Sequence, residues 1–145
     1  MTTKAESVKR DRAYVEKSQI ETYRQLAGIG DAGRKVASGD QLPPFKSLKD
    51  VFLLAACLGL QVGRRTPLKQ RQELVLTSYL NNQSDLAVLR AIAIAETGQV
   101  EVVANHNDLL TIAEEYANTG FEELKRRVLQ AGPPLANLVE LLLEG

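Results

Sequence analysis

SLKDVFLLAACLGL, residues 47–60, decides the fold of this chain. Ser47 is placed as an N-cap with Asp50 at the third helical position, a capping-box-like start. From there the segment is apolar on nearly every side as far as Gly59, which predicts a buried helix. A buried helix needs neighbours, and the sequence downstream supplies helical patterns. GLQVGRRT reads as a turn, and Thr66-Pro67 opens a helix over 67–80 with proline at its first position. Its inner face carries Val75/Tyr79 and Leu76/Leu80. NNQS interrupts the pattern, and Ser84-Asp85 then caps LAVLRAIAIAETG, in which Arg90 is the only charge before Glu96. That segment is expected to be the central core helix. Gln99–Val103 (QVEVV) is compatible with a short strand or with one more helical turn. Asn107 is expected to cap a helix over 108–118 that buries Leu109, Ile112, Ala113 and Tyr116. Gly120 is expected to end it, and Thr119 with Glu122 forms a T-x-x-E start for FEELKRRVLQA. Gly132-Pro133-Pro134 stops that helix before a last amphipathic one at 135–143.

Upstream, residues 5–27 lack glycine and proline, but their apolar stripe is weak. They are expected to form a peripheral helix, or an arm that orders on a partner. Residues 28–46, with four glycines and two prolines, read as a long loop. The expected organisation is therefore an arm and loop over 1–46 and a helical core domain over 47–145. The fold class is all-α: a compact bundle of six or seven helices, with room for one very short strand pair. Leu53, Leu54, Cys57, Leu89, Ile92 and Tyr116 are the expected core. The lone cysteine excludes an internal disulfide, and no Cys/His cluster has zinc-ligand spacing, so neither a metal nor a cofactor is expected. The polar N-terminus has no signal-peptide core, and the longest apolar run, Val51–Leu60, is half a membrane span. A cytoplasmic protein without membrane contact is the expectation.

A formal net charge of zero hides a division. Residues 1–71 hold fourteen Lys/Arg against seven acids, and residues 72–145 hold four against eleven. Such an asymmetry suits a polyanion on one face and a different partner on the other. Arg64, Arg65, Lys69 and Arg71 cluster in the turn after the first buried helix, and Lys9, Arg10, Arg12, Lys46 and Lys49 extend the set. These nine are the candidate contacts to the backbone of duplex DNA. Aromatic residues are sparse and tryptophan is absent, so a base-stacking platform is not indicated.

No catalytic constellation stands out, and the chain is expected not to be an enzyme. His106, the only histidine, lies in a polar Asn-His-Asn turn and reads as an exposed loop residue. Cys57 among Ala and Leu reads as an inert core thiol. Glu114/Glu115 and Glu122/Glu123 are adjacent pairs that diverge by about 100° on a helix, and read as solvated faces. Gly28–Gly33 (GIGDAG) lacks both the preceding strand and the following G-K-[ST] of a phosphate loop. The pair of helices around Asn118–Gly120, with Lys125, Arg126 and Arg127 on the second, fails the glycine spacing of a helix-turn-helix.

Three blocks together resemble one family. KSLKDVFLLAACLGLQVGRRTPL, DLAVLRAIAIAETGQVEVV and LLTIAEEYANTGFEELK are similar to the small proteins associated with DNA phosphorothioation, the Dnd system-associated protein four family. The shared features are a D-v-f-x-x-A-A-x-L-G helix, a basic R-x-P turn, an A-x-x-E-T helix end and an E-E-Y-A-N-x-G helix end. The last, Glu114–Gly120, is the most specific, and the match covers about residues 47–130. These proteins are encoded with bacterial systems that replace a phosphate oxygen of DNA by sulfur and restrict unmarked DNA. The resemblance implies a part in anti-phage defence and restriction-modification, with other proteins of the system as partners and a homo-oligomer compatible. It carries no catalytic residues across. An adaptor that docks a larger nuclease or ATPase without touching DNA is the rival reading.

Overall fold

The apolar stretch that opens the reading is a helix, but its principal partner is not the one the periodicity favoured. A computed structural model describes residues 8–29 and 43–144. Their order is β1 (Arg12–Glu16), α1 (Ile20–Leu26), α2 (Leu48–Val62), β2 (Arg71–Leu76), α3 (Asp85–Thr97), α4 (His106–Val128) and α5 (Pro134–Leu143), with short 3₁₀ turns at Lys17–Gln19, Thr77–Tyr79 and Val100–Ala104. The larger part of the 28–46 segment, including Gly30–Gly33, lies outside the described residues.

α2 begins at Ser47, whose hydroxyl donates to the Asp50 carboxylate (3.0 Å), and ends at Gly63 in a left-handed conformation (φ 84°) that a Cβ would strain. Its small residues Ala55 and Gly59, four apart, share one face. Against that face lies Gly120, in the middle of α4. A Cβ on Gly120 would stand 1.9 Å from the Ala55 carbonyl oxygen, and one on Gly59 would stand 1.8 Å from the Tyr116 carbonyl oxygen. The two helices thus cross backbone against backbone. This corrects the expectation that Gly120 ends a helix. The glycine serves close approach, so 108–118 and 121–131 belong largely to one helix of 23 residues.

Around this crossing Val51, Phe52, Ala55 and Ala56 of α2 meet Leu110, Ala113, Ala117, Phe121 and Leu124 of α4, all buried. Leu89, Ile92 and Ala93 bring α3 into the same core, as expected, although α4 rather than α3 is central. Tyr116 is buried too. Leu53 and Leu54 are only half-buried, and Cys57 is exposed, which corrects the core assignment. An all-round apolar helix in sequence does not reveal which of its sides the tertiary fold leaves open.

Two helical expectations give way to a two-stranded antiparallel ribbon. β1 pairs with β2 from Arg12↔Leu76 to Glu16↔Arg71, with an irregularity between Ala13 and Tyr14. Ala13, Val15 and Leu74 point into the core. A helix over 67–80 was plausible because Val75/Tyr79 and Leu76/Leu80 repeat at four. The segment becomes a strand because RAYVE, far away in the sequence, offers it an edge, a tertiary effect that local periodicity cannot register. Residues 5–27 are likewise not one helix: β1 is followed by a 3₁₀ turn and the short α1, whose Ile20, Tyr23 and Leu26 are buried. Gln99–Val103 holds no strand; Val100–Ala104 is a 3₁₀ turn. The described residues therefore hold five α-helices and one strand pair, a mostly helical fold with fewer helices than six or seven. No helix among them is long and apolar enough to cross a membrane.

The Tyr23 ring stacks on Phe121, with centroids 4.2 Å apart and planes 9° from parallel. Its hydroxyl is buried without a hydrogen-bond partner among the described residues, and that burial pushes its pKa well up. An unmade buried hydrogen bond costs about 1–3 kcal/mol. Tyr23→Phe keeps the stack and removes the orphan, so it should stabilise the fold by roughly 1 kcal/mol in a urea titration. A clear loss of stability would show that the hydroxyl is satisfied.

Candidate nucleic-acid interface

After Gly63 the chain crosses the surface of α4, and the side chains of α4 hold it there. Asn118 donates from Nδ2 to the carbonyls of Thr66 (3.0 Å) and Pro67 (3.3 Å). The Thr66 backbone N–H donates to the Glu115 carbonyl (3.1 Å), and the Thr66 and Thr119 hydroxyls meet at 2.6 Å. Gln19 Nε2 donates to Asn118 Oδ1 (3.1 Å) and to Glu122 (3.0 Å), which ties in the 3₁₀ turn after β1. Arg65 forks between two carboxylates, Glu96 and Glu115, each at 2.9 Å. Glu96 also accepts from the Tyr116 hydroxyl. That hydroxyl and then Arg65 hold the Glu96 carboxyl below its ordinary pKa, while burial and then Glu96 raise the Tyr116 phenol.

These contacts explain the E-E-Y-A-N-x-G block in physical terms. Glu115 and Asn118 hold the basic turn, Tyr116 steadies its counter-ion, and Gly120 permits the helix crossing. Glu114 has a different task. It is 3% exposed, not on a solvated face as its sequence setting suggested. Its Oε2 accepts the Tyr14 backbone N–H (2.7 Å) and the Arg10 guanidinium, while Arg71 stands 3.8 Å away. Burial pushes its carboxyl above the usual carboxylate pKa, and Arg10 pulls it back only in part.

The nine expected DNA contacts fall into separate places. Arg10, Arg12 and Arg71 surround a recess with Asp11 and Tyr14, and the Arg71 and Arg10 guanidinium carbons lie 4.5 and 5.5 Å from the Tyr14 ring centre. Arg12 pairs with Asp11 and Glu73, both at 2.9 Å. Lys46 and Lys49 line another recess with Leu74, Val75, Leu76 and Tyr79, where Lys49 pairs with Asp85 (2.7 Å). Lys9 lines a third, with His106, Asn107 and Asp108. Arg64 and Lys69 are exposed on the turn, without a carboxylate partner for either side chain among the described residues. Lys17, which sequence reasoning passed over, joins them: it is exposed, and its backbone N–H donates to Gln70 (2.8 Å), beside Lys69. The nearby Glu16 carboxylate is held by the Lys69 and Gln70 N–H groups. Only the strand pairing brings Lys17 and Lys69 together, so no local signal marks them.

The remaining sequence candidates settle into structural positions. His106 is half-buried at the start of α4 rather than in an exposed loop. Its Nε2 lies 2.8 Å from the Arg10 carbonyl, which only accepts, so Nε2 carries the proton. Asn107 binds Arg10 and Val8, and Asn105, not Asn107, caps α4 by accepting from Asp108 N (3.1 Å). Lys125, Arg126 and Arg127 each pair with Glu122, Glu123 or Glu144 along one continuous helix. Glu122 is therefore a mid-helix residue rather than a cap. Cys57 is exposed at the surface, yet the apolar side chains around it desolvate the thiolate and raise the thiol above its ordinary pKa.

Comparison with curated proteins and with solved structures gives no match. A family model does match, over residues 34–144, which takes in α2 to α5, the basic turn and the Glu114–Gly120 block. The chain belongs to the family of DNA sulphur modification system-associated protein 4.

Proposed function

We propose that this protein is a non-catalytic accessory component of its DNA sulphur modification system and holds the backbone of duplex DNA through the turn that carries Arg64 and Lys69, with Lys17 beside them. The observation that carries this reading is the contrast among the cations. Arg10, Arg12, Lys49 and Arg65 lie within 3 Å of carboxylates, whereas Lys17, Arg64 and Lys69 face solvent without such a partner among the described residues. A cation already neutralised releases little counterion from DNA; an unpaired one on a braced turn releases its full share. The non-catalytic part is supported by the occupation of the titratable groups. Glu96, Glu114 and Glu115 are bound to arginines, and His106 is bound to a backbone carbonyl.

Contacts of this kind read charge. Sulfur in place of a non-bridging phosphate oxygen leaves the charge unchanged, so modified and unmodified duplexes should bind alike. Replacing Lys17, Arg64 and Lys69 together by Ala should weaken binding uniformly across sequences and make the log–log salt slope shallower by up to about 2.7. Stability should stay within about 0.5 kcal/mol of the parent, since all three are surface positions. Fluorescence anisotropy on one duplex at several salt concentrations reads both quantities. Unchanged affinity in the triple variant would remove this turn from the interface. Absence of binding by the parent would leave the adaptor reading.

A further inference from the structure

α5 has a broad apolar face, and the fold covers only one edge of it. Leu138 and Asn137 are buried against the rest of the chain, the Asn137 amide donating to the Val128 and Gln130 carbonyls (2.9 and 3.1 Å). Flanking Leu138 on the solvent side, Leu135, Val139 and Leu142, spaced i, i+4, i+7 and so on one face, are 38%, 47% and 57% exposed, with Leu143 beside them at 79%. Leu142 also lines a groove of about 570 Å³ between α2, α4 and α5, with Leu54, Cys57, Leu58, Val62 and Leu141 on its walls. Leu142 joins the stripe to the groove, whose apolar walls are rimmed by Gln61, Glu123, Arg127 and Glu144, an apolar surface with a polar rim of the kind that marks a binding site.

Charge decides what covers it. Residues 128–145 contain Glu140 and Glu144 and no Lys or Arg. Arg127, at the groove edge, is already bound to Glu144 and Glu123. Glu140, next to Val139, makes no hydrogen bond or ion pair among the described residues and adds only a longer-range pull on Arg127, so the three carboxylates Glu123, Glu140 and Glu144 outnumber that arginine. Two copies pairing α5 to α5 about a two-fold axis would set these carboxylates against each other with no α5 cation to answer them. We infer that the stripe and groove receive an amphipathic helix of another protein of the modification system, one that carries three apolar anchors at helical spacing and Lys or Arg on its flanks. Helix-in-groove recognition uses such i, i+3/i+4, i+7 anchors. The surface is distinct from the basic turn, so the inference does not depend on DNA binding.

Cys57 is the only cysteine and lies in the groove wall, so its alkylation reports occupancy in the full chain. Two synthetic helical peptides of about 18 residues serve as probes, with identical leucine anchors and either Lys or Glu on the flanks. The Lys-flanked peptide should slow Cys57 alkylation at saturation, and the Glu-flanked one should bind at least about fivefold more weakly. Val139→Asp and Leu142→Asp, each at an exposed position, should weaken the Lys-flanked peptide about tenfold or more while leaving the urea midpoint near the parent's. Equal binding of both peptides, or binding of neither, overturns the inference. So does concentration-dependent dimerisation of the chain alone that protects Cys57, which would make a second copy the occupant.

Discussion

Gly120→Ala should be among the most damaging single substitutions in this protein. In an ordinary helix interior, alanine is favoured over glycine by about 1 kcal/mol. Here the added Cβ would lie 1.9 Å from the Ala55 carbonyl oxygen and 2.4 Å from the Gly59 nitrogen, both backbone atoms. Neither can turn aside as a side chain does, so α2 and α4 must move apart along their whole contact. The expected loss is about 3 kcal/mol or more, the upper end of overpacking costs. On a total stability of about 5–15 kcal/mol, that is a fall of roughly 10 °C in Tm. Gly59→Ala should act in the same way through the Tyr116 carbonyl, and the double variant should fall short of the sum because both release one crossing. Thermal unfolding followed by circular dichroism reads the effect. A Gly120→Ala protein as stable as the parent would mean that helix propensity, not close approach, governs the position.

Arg65→Ala is the second large effect, and it separates bracing the turn from contacting DNA. The substitution leaves Glu96 and Glu115 without their cation, and their side chains are 27% and 21% exposed. Breaking a fully buried pair costs about 3–5 kcal/mol; at this exposure roughly 1.5–3 kcal/mol is expected. Arg65→Lys should recover only part of this, because the ammonium is a point charge without the planar fork whose separate nitrogens reach Glu96 and Glu115 in their present places. The pH dependence follows from Glu96, whose folded pKa is lowered by Tyr116 and then by Arg65. A lowered folded pKa contributes stability that is present above the unfolded value of about 4.3 and lost as pH falls through the folded value. The acid limb of a stability–pH curve should therefore be shallower in Arg65→Ala than in the parent. Identical limbs would show that Glu96 does not depend on Arg65.

The helical parts of this fold were legible where one segment carries its own instructions. Ser47, with its hydroxyl on Asp50, stands at the start of α2, α3 starts at Asp85 as expected although the Ser84 side chain makes no cap hydrogen bond, and the Leu89 and Ile92 spacing points α3 inward. Reading failed where the deciding atoms come from elsewhere in the chain. RQELVL becomes a strand because RAYVE pairs with it. Gly120 looks like a stop signal until Ala55 and Gly59 are seen beneath it. Glu114 looks solvated until Arg10 and Tyr14 close over it. The candidate interface divides along the same line. The basic turn was visible as a cluster of cations. Which of them are neutralised was not, because Glu96 and Glu115 reach Arg65 across 31 and 50 residues.

The proposal that this family member holds duplex DNA by its backbone is tested most directly by the salt dependence of the parent protein's affinity. With Lys17, Arg64 and Lys69 on phosphates, the logarithm of the association constant should fall linearly with the logarithm of salt concentration. The slope should be near −2.7, about −0.9 for each contact, between roughly 50 and 200 mM salt. It should be the same for duplexes of unrelated sequence. No binding at about 50 mM, or an affinity indifferent to salt, would contradict the account.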